Sequence, residues 1–260
     1  MTTGVEPDIE RRFGGLRRLY GDQGYARIRS ARVAVVGLGG VGSWAVEALA
    51  RSGVAALTLI DFDHVAESNI NRQVQALGTT LGMSKVDALA ARVAEIHPGC
   101  VVHCVDAFAS AENWPALMPA PVDAVIDACD QVRAKQALAA WAMREHVAFV
   151  CVGAAGGKQL TQSIEMGDLS AATHDPLLAS LRQRLRQHEG AARKGEMGLR
   201  CVFSRESVRV PEDQANGDGS LNCAGYGSSV MVTASFGFAG AGEVIQQLLR
   251  RAAPAEKQCL

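Results

Sequence analysis

At 260 residues, with 48% apolar and 20% charged side chains, the chain is long enough to bury one sizeable core, and a single domain over 1–260 is expected. A formal net charge of −1 excludes attraction to nucleic acid by the whole-molecule field, so any such contact needs a local patch. The seven cysteines are odd in number and form no C-x-x-C pair, which argues against a structural zinc site and for reduced thiols in the cytoplasm.

The N-terminus, Met1-Thr2-Thr3-Gly4-Val5-Glu6-Pro7, has no apolar core of secretory type, so no signal peptide and a cytoplasmic location are expected. Arg32 to Gly37 is a β-branched run ending in glycine and reads as a buried parallel strand. Val41 to Arg51 follows as a helix and Ala55 to Ile60 as a second strand, completing a βαβ unit. Met83 to Ile96 reads as a helix stopped by Pro98, and Val101 to Val105 as a third strand. Val122 to Ile126, Val132 to Glu145 and Ala148 to Val152 continue the alternation as strand, helix and strand. The pattern predicts an α/β fold with a doubly wound, Rossmann-like, mostly parallel sheet whose nucleotide-binding core spans about 31–153.

Beyond Gly153 the regularity weakens, and residues 154–260 are expected to embellish that core rather than form a second domain. Leu160 to Met166 fits a strand and Pro176 to His188 a charged surface helix. Val208 to Asn222 is polar and glycine-containing, as in a mobile loop, before a last apolar helix from about Ser228 to Arg250. The most apolar stretch, Val230 to Ile245, is interrupted by Thr233, Ser235 and Glu243 and falls short of the roughly 20 residues a membrane span requires.

Gly37-Leu38-Gly39-Gly40-Val41-Gly42 satisfies G-x-G-x-x-G directly after a strand and at the start of a helix, where amides and the helix dipole meet phosphate oxygens. Asp61 closes the second strand about 20 residues later, the spacing of an acid that bonds ribose hydroxyls. On these two features alone NAD or FAD is the favoured ligand. The segment Asp61 to Gln73 (DFDHVAESNINRQ) then adds acids, amides and Arg72, a concentration that a dehydrogenase does not need. Attack of a carboxylate on the α-phosphorus of ATP does need it, because charge builds on phosphate oxygens and a guanidinium offers a planar fork of donors. Lys85 adds a point charge at a helix start, and Asp130 follows the fourth strand, placed to serve Mg²⁺ at the carboxyl end of the sheet.

The segments GLGGVG at 37–42, DFDHVAESNINRQ at 61–73, GMSKV at 82–86 and DACD at 127–130 resemble the ubiquitin-activating-enzyme-like adenylyltransferases, the ThiF/MoeB type. That resemblance implies ATP and Mg²⁺ as cofactors. It places Asp61 and Asp63 near ribose and phosphates, Asn69 and Arg72 at phosphate oxygens, Gln73 among the ATP-binding residues, Lys85 on phosphate and Asp130 on Mg²⁺. It also implies a homodimer in which Arg12 reaches the partner's nucleotide. Sulfur-carrier activators of this family commonly hold zinc on two C-x-x-C pairs, which this chain lacks. RRFGGLRRLYG at 11–21, GAAGGK at 153–158, HDPLLASLRQRLR at 174–186, CVFSRE at 201–206 and MVTASFGF at 231–238 are instead similar to the tRNA threonylcarbamoyladenosine dehydratase branch.

The reaction so implied is ATP-dependent cyclisation of threonylcarbamoyladenosine at position 37 of tRNA through an acyl-adenylate. The alternative is adenylation of the C-terminal carboxylate of a ubiquitin-like sulfur carrier. A tRNA substrate needs a basic surface, for which Arg182, Arg184, Arg186, Arg193 and Lys194 are the candidates, and the resemblance also raises a sulfur-transfer protein as a partner. Cys223, before the last apolar helix, is the candidate reactive thiol, with cyclisation expected to survive its replacement by alanine.

Overall fold

Five strands, β1 (Arg32–Val36), β2 (Ala56–Ile60), β3 (Val101–Val105), β4 (Ala124–Asp127) and β5 (Ala148–Val152), pair in parallel as the β-branched runs predict. Two more, β6 (Ile164–Asp168) and β7 (Arg200–Ser204), extend the sheet beyond β5, giving the order β3-β2-β1-β4-β5-β7-β6 with only β6 antiparallel. The computed structural model describes residues 6–209 and 226–250, so Cys223 and most of the polar 208–222 stretch lie outside the described residues.

Alternate residues of β1 serve opposite layers: Val33 and Val35 face one core, Ala34 and Val36 the other. The first core is filled from α1 (Ile9–Ser30), α2 (Gly42–Arg51), α3 (Lys85–Ile96) and α6 (Val230–Arg250). The second is filled from α4 (Val132–Glu145) and α5 (Pro176–His188). Helix α6 lies hard against α2 because Gly237 has no side chain; a Cβ there would sit 2.5 Å from the Val41 carbonyl oxygen. Next to it Phe236 is fully buried, a contact whose truncation to alanine costs about 3–5 kcal/mol.

The chain runs β1-β2-β3 toward one edge and then returns to place β4 on the far side of β1. This reversal opens a crevice beyond the carboxyl ends of β1 and β4, where ligands bind in open α/β sheets. Among the described residues no helix is long and apolar enough to cross a membrane.

Several expectations need correction. The strand expected over Leu160 to Met166 begins only at Ile164, since Thr161–Ser163 forms a 3-10 turn. The last helix starts at Val230 rather than near Ser228. Helix α1 and strand β7 were not among the expected elements at all. In α1, Gly14, Gly15 and a break at Gly21 (φ 71°) blur the helical period, and only tertiary contact buries Phe13, Tyr25 and Ile28. Strand β7 is too short a run to stand out, and it is stabilised by neighbours on both sides.

Candidate active site

The crevice holds a cavity of about 260 Å³. Its floor is the turn Gly37–Val41, whose shape follows from glycine sterics. Gly37 takes a left-handed backbone (φ 84°) and presses on the β4 turn, where a Cβ would lie 2.8 Å from the Cys129 nitrogen. A Cβ on Gly42 would lie 1.8 Å from the Gly37 oxygen, so no other residue closes this turn onto α2. A Cβ placed on Gly39 would meet nothing within 4 Å, so this side of the turn is open to a ligand. No side chain caps the start of α2, so its positive end faces the cavity unclaimed.

Asp61 ties this turn to the segment after β2. Its Oδ2 accepts from the Leu38 amide at 2.6 Å and its Oδ1 from the Asp63 amide at 2.8 Å. A carboxylate has about four acceptor sites, so capacity remains for hydroxyl groups of a ligand. Ser84 caps α3 by accepting from the Asp87 amide and so places Lys85 at the first helical position. The Lys85 ammonium is buried, 2.6 Å from Asp63 Oδ2 and 3.8 Å from Asp61 Oδ1. The Arg72 backbone carbonyl accepts from Trp44 Nε1 at 2.9 Å, which anchors the residue to α2, while its guanidinium touches the Ser68 carbonyl and Asn71 Oδ1. Gln73 Oε1 accepts from Gln75 Nε2, which also donates to the Leu38 carbonyl.

Beyond β4, Asp130 is exposed to the cavity and has no ion-pair partner among the described residues. Asp127 turns the other way. Its carboxylate accepts from the Cys129 amide at 3.2 Å and thiol at 2.8 Å, and lies 3.0 Å from Lys135 Nζ, with both charged side chains wholly buried. Burial works against the Lys135 charge, but the adjacent Asp127 carboxylate outweighs it and holds the ammonium pKa above its ordinary value. Burial first, and Asp127 second, push the Cys129 thiol well up, so it stays protonated and unreactive. This ion pair was not anticipated. Its signal was a lysine set among Ala134, Leu138 and Ala139 on the buried face of α4.

Of the residues singled out from sequence, Gly37, Gly39, Gly40, Asp61, Asp63, Arg72, Gln73, Lys85 and Asp130 line this one cavity. Gly42 shapes it from behind. Asn69 does not line it; its Oδ1 accepts from the Ala66 amide and closes the 3-10 turn Glu67–Asn69. Arg12 is elsewhere in the subunit, donating to the Glu95 and Ile96 carbonyls at the end of α3. Two of the candidate tRNA-binding residues are engaged within the fold: Arg182 donates to the Leu169 and Ala172 carbonyls and Arg186 to Ala192. Arg184 is half-buried, and Arg193 and Lys194 are exposed. Phe108, half exposed, and Tyr226 line the cavity without having been foreseen. No group of three or more metal-binding side chains occurs among the described residues, so a cation here would rely on few protein ligands.

Amides and a helix terminus, a guanidinium, an ammonium and one carboxylate without an ion-pair partner among the described residues, all lining one cavity, suit a nucleoside triphosphate. The chain belongs to the ThiF family, whose model matches residues 14–259. It is 41% identical to the tRNA threonylcarbamoyladenosine dehydratase of Escherichia coli (strain K12), over 97% of this chain and 99% of that one. A crystal structure of the E. coli tRNA N6-threonylcarbamoyladenosine dehydratase in complex with ATP superimposes with a TM-score of 0.84 at 40% identity, covering 94% and 96% of the two chains. The molybdopterin-synthase adenylyltransferase of Haemophilus influenzae is 34% identical over only 44% of this chain and 47% of its own length.

Proposed function

We propose that the chain is an ATP-dependent tRNA threonylcarbamoyladenosine dehydratase, which closes a ring on the modified adenosine at position 37 of tRNA. The observation that carries this reading is the near end-to-end similarity to dehydratases, set against the partial match to a sulfur-carrier adenylyltransferase. The cavity chemistry agrees, since Arg72, Lys85 and Asp130 share it with the glycine turn.

In the first step the threonyl carboxylate attacks the α-phosphorus of ATP, an acyl–O–P bond forms and pyrophosphate leaves. The carbamoyl group of the same nucleoside then attacks the activated carbonyl, loses a proton and expels AMP, which carries away the carboxylate oxygen. Nucleophile and electrophile are parts of one molecule, so the second step starts with a high effective concentration. Arg72 and Lys85 spread the charge that develops on phosphate oxygens, and Asp61 orients the ribose. Asp130 would hold Mg²⁺ together with phosphate oxygens and water, a donor set that fits a hard cation with few protein ligands. When bound, that ion neutralises the departing pyrophosphate.

A homodimer fits the exposed apolar side chains Ile70, Leu77, Met231 and Phe238, and Arg12 would meet a second subunit's nucleotide through it. For tRNA, Arg193 and Lys194 are the better candidates now that Arg182 and Arg186 have carbonyl partners. A sulfur-transfer protein partner rests on the family resemblance, and a cytoplasmic location on the odd number of scattered cysteines. The test combines purified protein, ATP, Mg²⁺ and threonylcarbamoylated tRNA and looks for a nucleoside lighter by one water. An unchanged nucleoside, with pyrophosphate release stimulated instead by a carrier protein ending in Gly-Gly, would overturn the reading.

A further inference from the structure

Apart from the phosphate-facing residues, the cavity has a wall built from four chain segments distant in sequence, and one buried cation joins three of them. Gly153 to Gly156, Pro176 and Leu177, Val208, and Tyr226 with Ser228 supply this wall. Behind it Lys158, 2% exposed, donates to the carbonyls of His174 (3.2 Å), Ser204 (3.3 Å) and Glu206 (3.0 Å). The Glu206 carboxylate returns the contact by accepting from the Gln159 and Leu160 amides, both at 2.8 Å. Gly157 continues the join: its amide donates to the Gly227 carbonyl and its carbonyl accepts from the Arg209 amide. His174 holds a left-handed backbone (φ 56°), unfavourable for a residue with a side chain, and its carbonyl is one of the three that Lys158 binds.

Asp175 forms a second clasp. It caps α5 by accepting from the Leu178 amide and also accepts from the Ala154 amide. It approaches Gly153 so closely that a Cβ there would lie 2.1 Å from its Oδ2. Burial lowers the Lys158 pKa, partly offset by the charges of Asp175 and Glu206.

The phosphate-facing half is held by a different set of bonds, Asp61 to Leu38, Lys85 to Asp63 and Trp44 to Arg72. The two halves therefore have separate supports. We infer that Lys158 is a positioning residue for the acceptor side of the cavity, fixing the wall that holds the threonylcarbamoyl group and its nucleoside while leaving the ATP side unaffected. The assignment of that wall to the tRNA substrate rests on the dehydratase reading; the clamp itself does not.

Two measurements on Lys158→Met separate these layers. In hydrogen exchange of the full-length protein, amides of 154–160 and 204–209 should exchange at least tenfold faster while those of 37–42 and 61–73 stay as in the wild type. In turnover, KM for threonylcarbamoylated tRNA should rise about tenfold with ATP affinity within twofold, and Lys158→Arg should recover part of the loss. Faster exchange everywhere, or nowhere, overturns the clamp, as does an ATP affinity that falls in step with the tRNA KM. If Lys158→Met does not fold, Glu206→Gln loosens the same junction more gently and is judged by the same criteria. A wild-type protein that fails to dehydrate the tRNA counts against the proposed function, and the exchange pattern then decides the clamp alone.

Discussion

Replacing Lys135 by methionine isolates the energetics beneath the site. The wild-type pair has Nζ and Oδ2 3.0 Å apart with neither side chain exposed, and Nζ also donates to the Asp127 carbonyl at 3.2 Å. Methionine fills nearly the same space without charge, so the loss is electrostatic rather than a cavity. What remains is a buried carboxylate with only the Cys129 amide and thiol as donors. Removing one partner of a buried pair costs about 3–5 kcal/mol, which for a domain of this size lowers Tm by roughly 10 °C. Urea unfolding should show the midpoint falling at unchanged m-value. The double variant Asp127→Asn, Lys135→Met removes the orphaned charge and keeps an acceptor for the Cys129 amide, and should regain at least about 2 kcal/mol. A single variant within about 1 kcal/mol of wild type, or a double variant no better than the single, would refute the assignment of this pair as a mutually dependent buried unit.

Gly42→Ala should abolish measurable ATP binding in calorimetry while the protein stays folded, because the new Cβ is aimed at the Gly37 oxygen and the turn must open. Arg72→Ala should lower kcat of tRNA dehydration about 10²–10³-fold with a smaller change in ATP affinity, as expected for a donor engaged most strongly when charge builds on phosphate; an equal loss of ATP affinity would make its role ground-state binding. Glu47 sits between Arg92 and Arg51, and although burial opposes its charge, their hydrogen bonds carry its pKa below the ordinary value. A depressed carboxylate contributes stability above its unfolded pKa and loses it as pH falls through the folded one, so wild type should lose stability more steeply than Glu47→Gln below about pH 4.5. Parallel acid-unfolding curves would contradict that.

The parallel strands, the glycine turn and the acid after β2 were legible because their signals are local. β-branched runs, the steric need for Gly37 and Gly42, and Pro176 following the capping Asp175 each act between residues close in sequence, and α5 indeed spans Pro176–His188 as read. The convergence of Arg72, Lys85 and Asp130 is expected from the residue types and the family resemblance, and the topology accounts for it: Arg72 and Lys85 follow the carboxyl end of β2 and Asp130 that of β4, on either side of β1. Helix α1, strand β7 and the inward turn of Asp127 were not legible, nor was the engagement of Arg182 with Leu169 and Ala172. Lys158 shows the reason most plainly. In the sequence it is a lysine after two glycines, and its three carbonyl partners lie 16 to 48 residues away. Pattern and propensity determine which segments become strands and which turn holds phosphate. Which charge is buried and which stays free for a ligand depends on desolvation and on partners that only tertiary packing delivers.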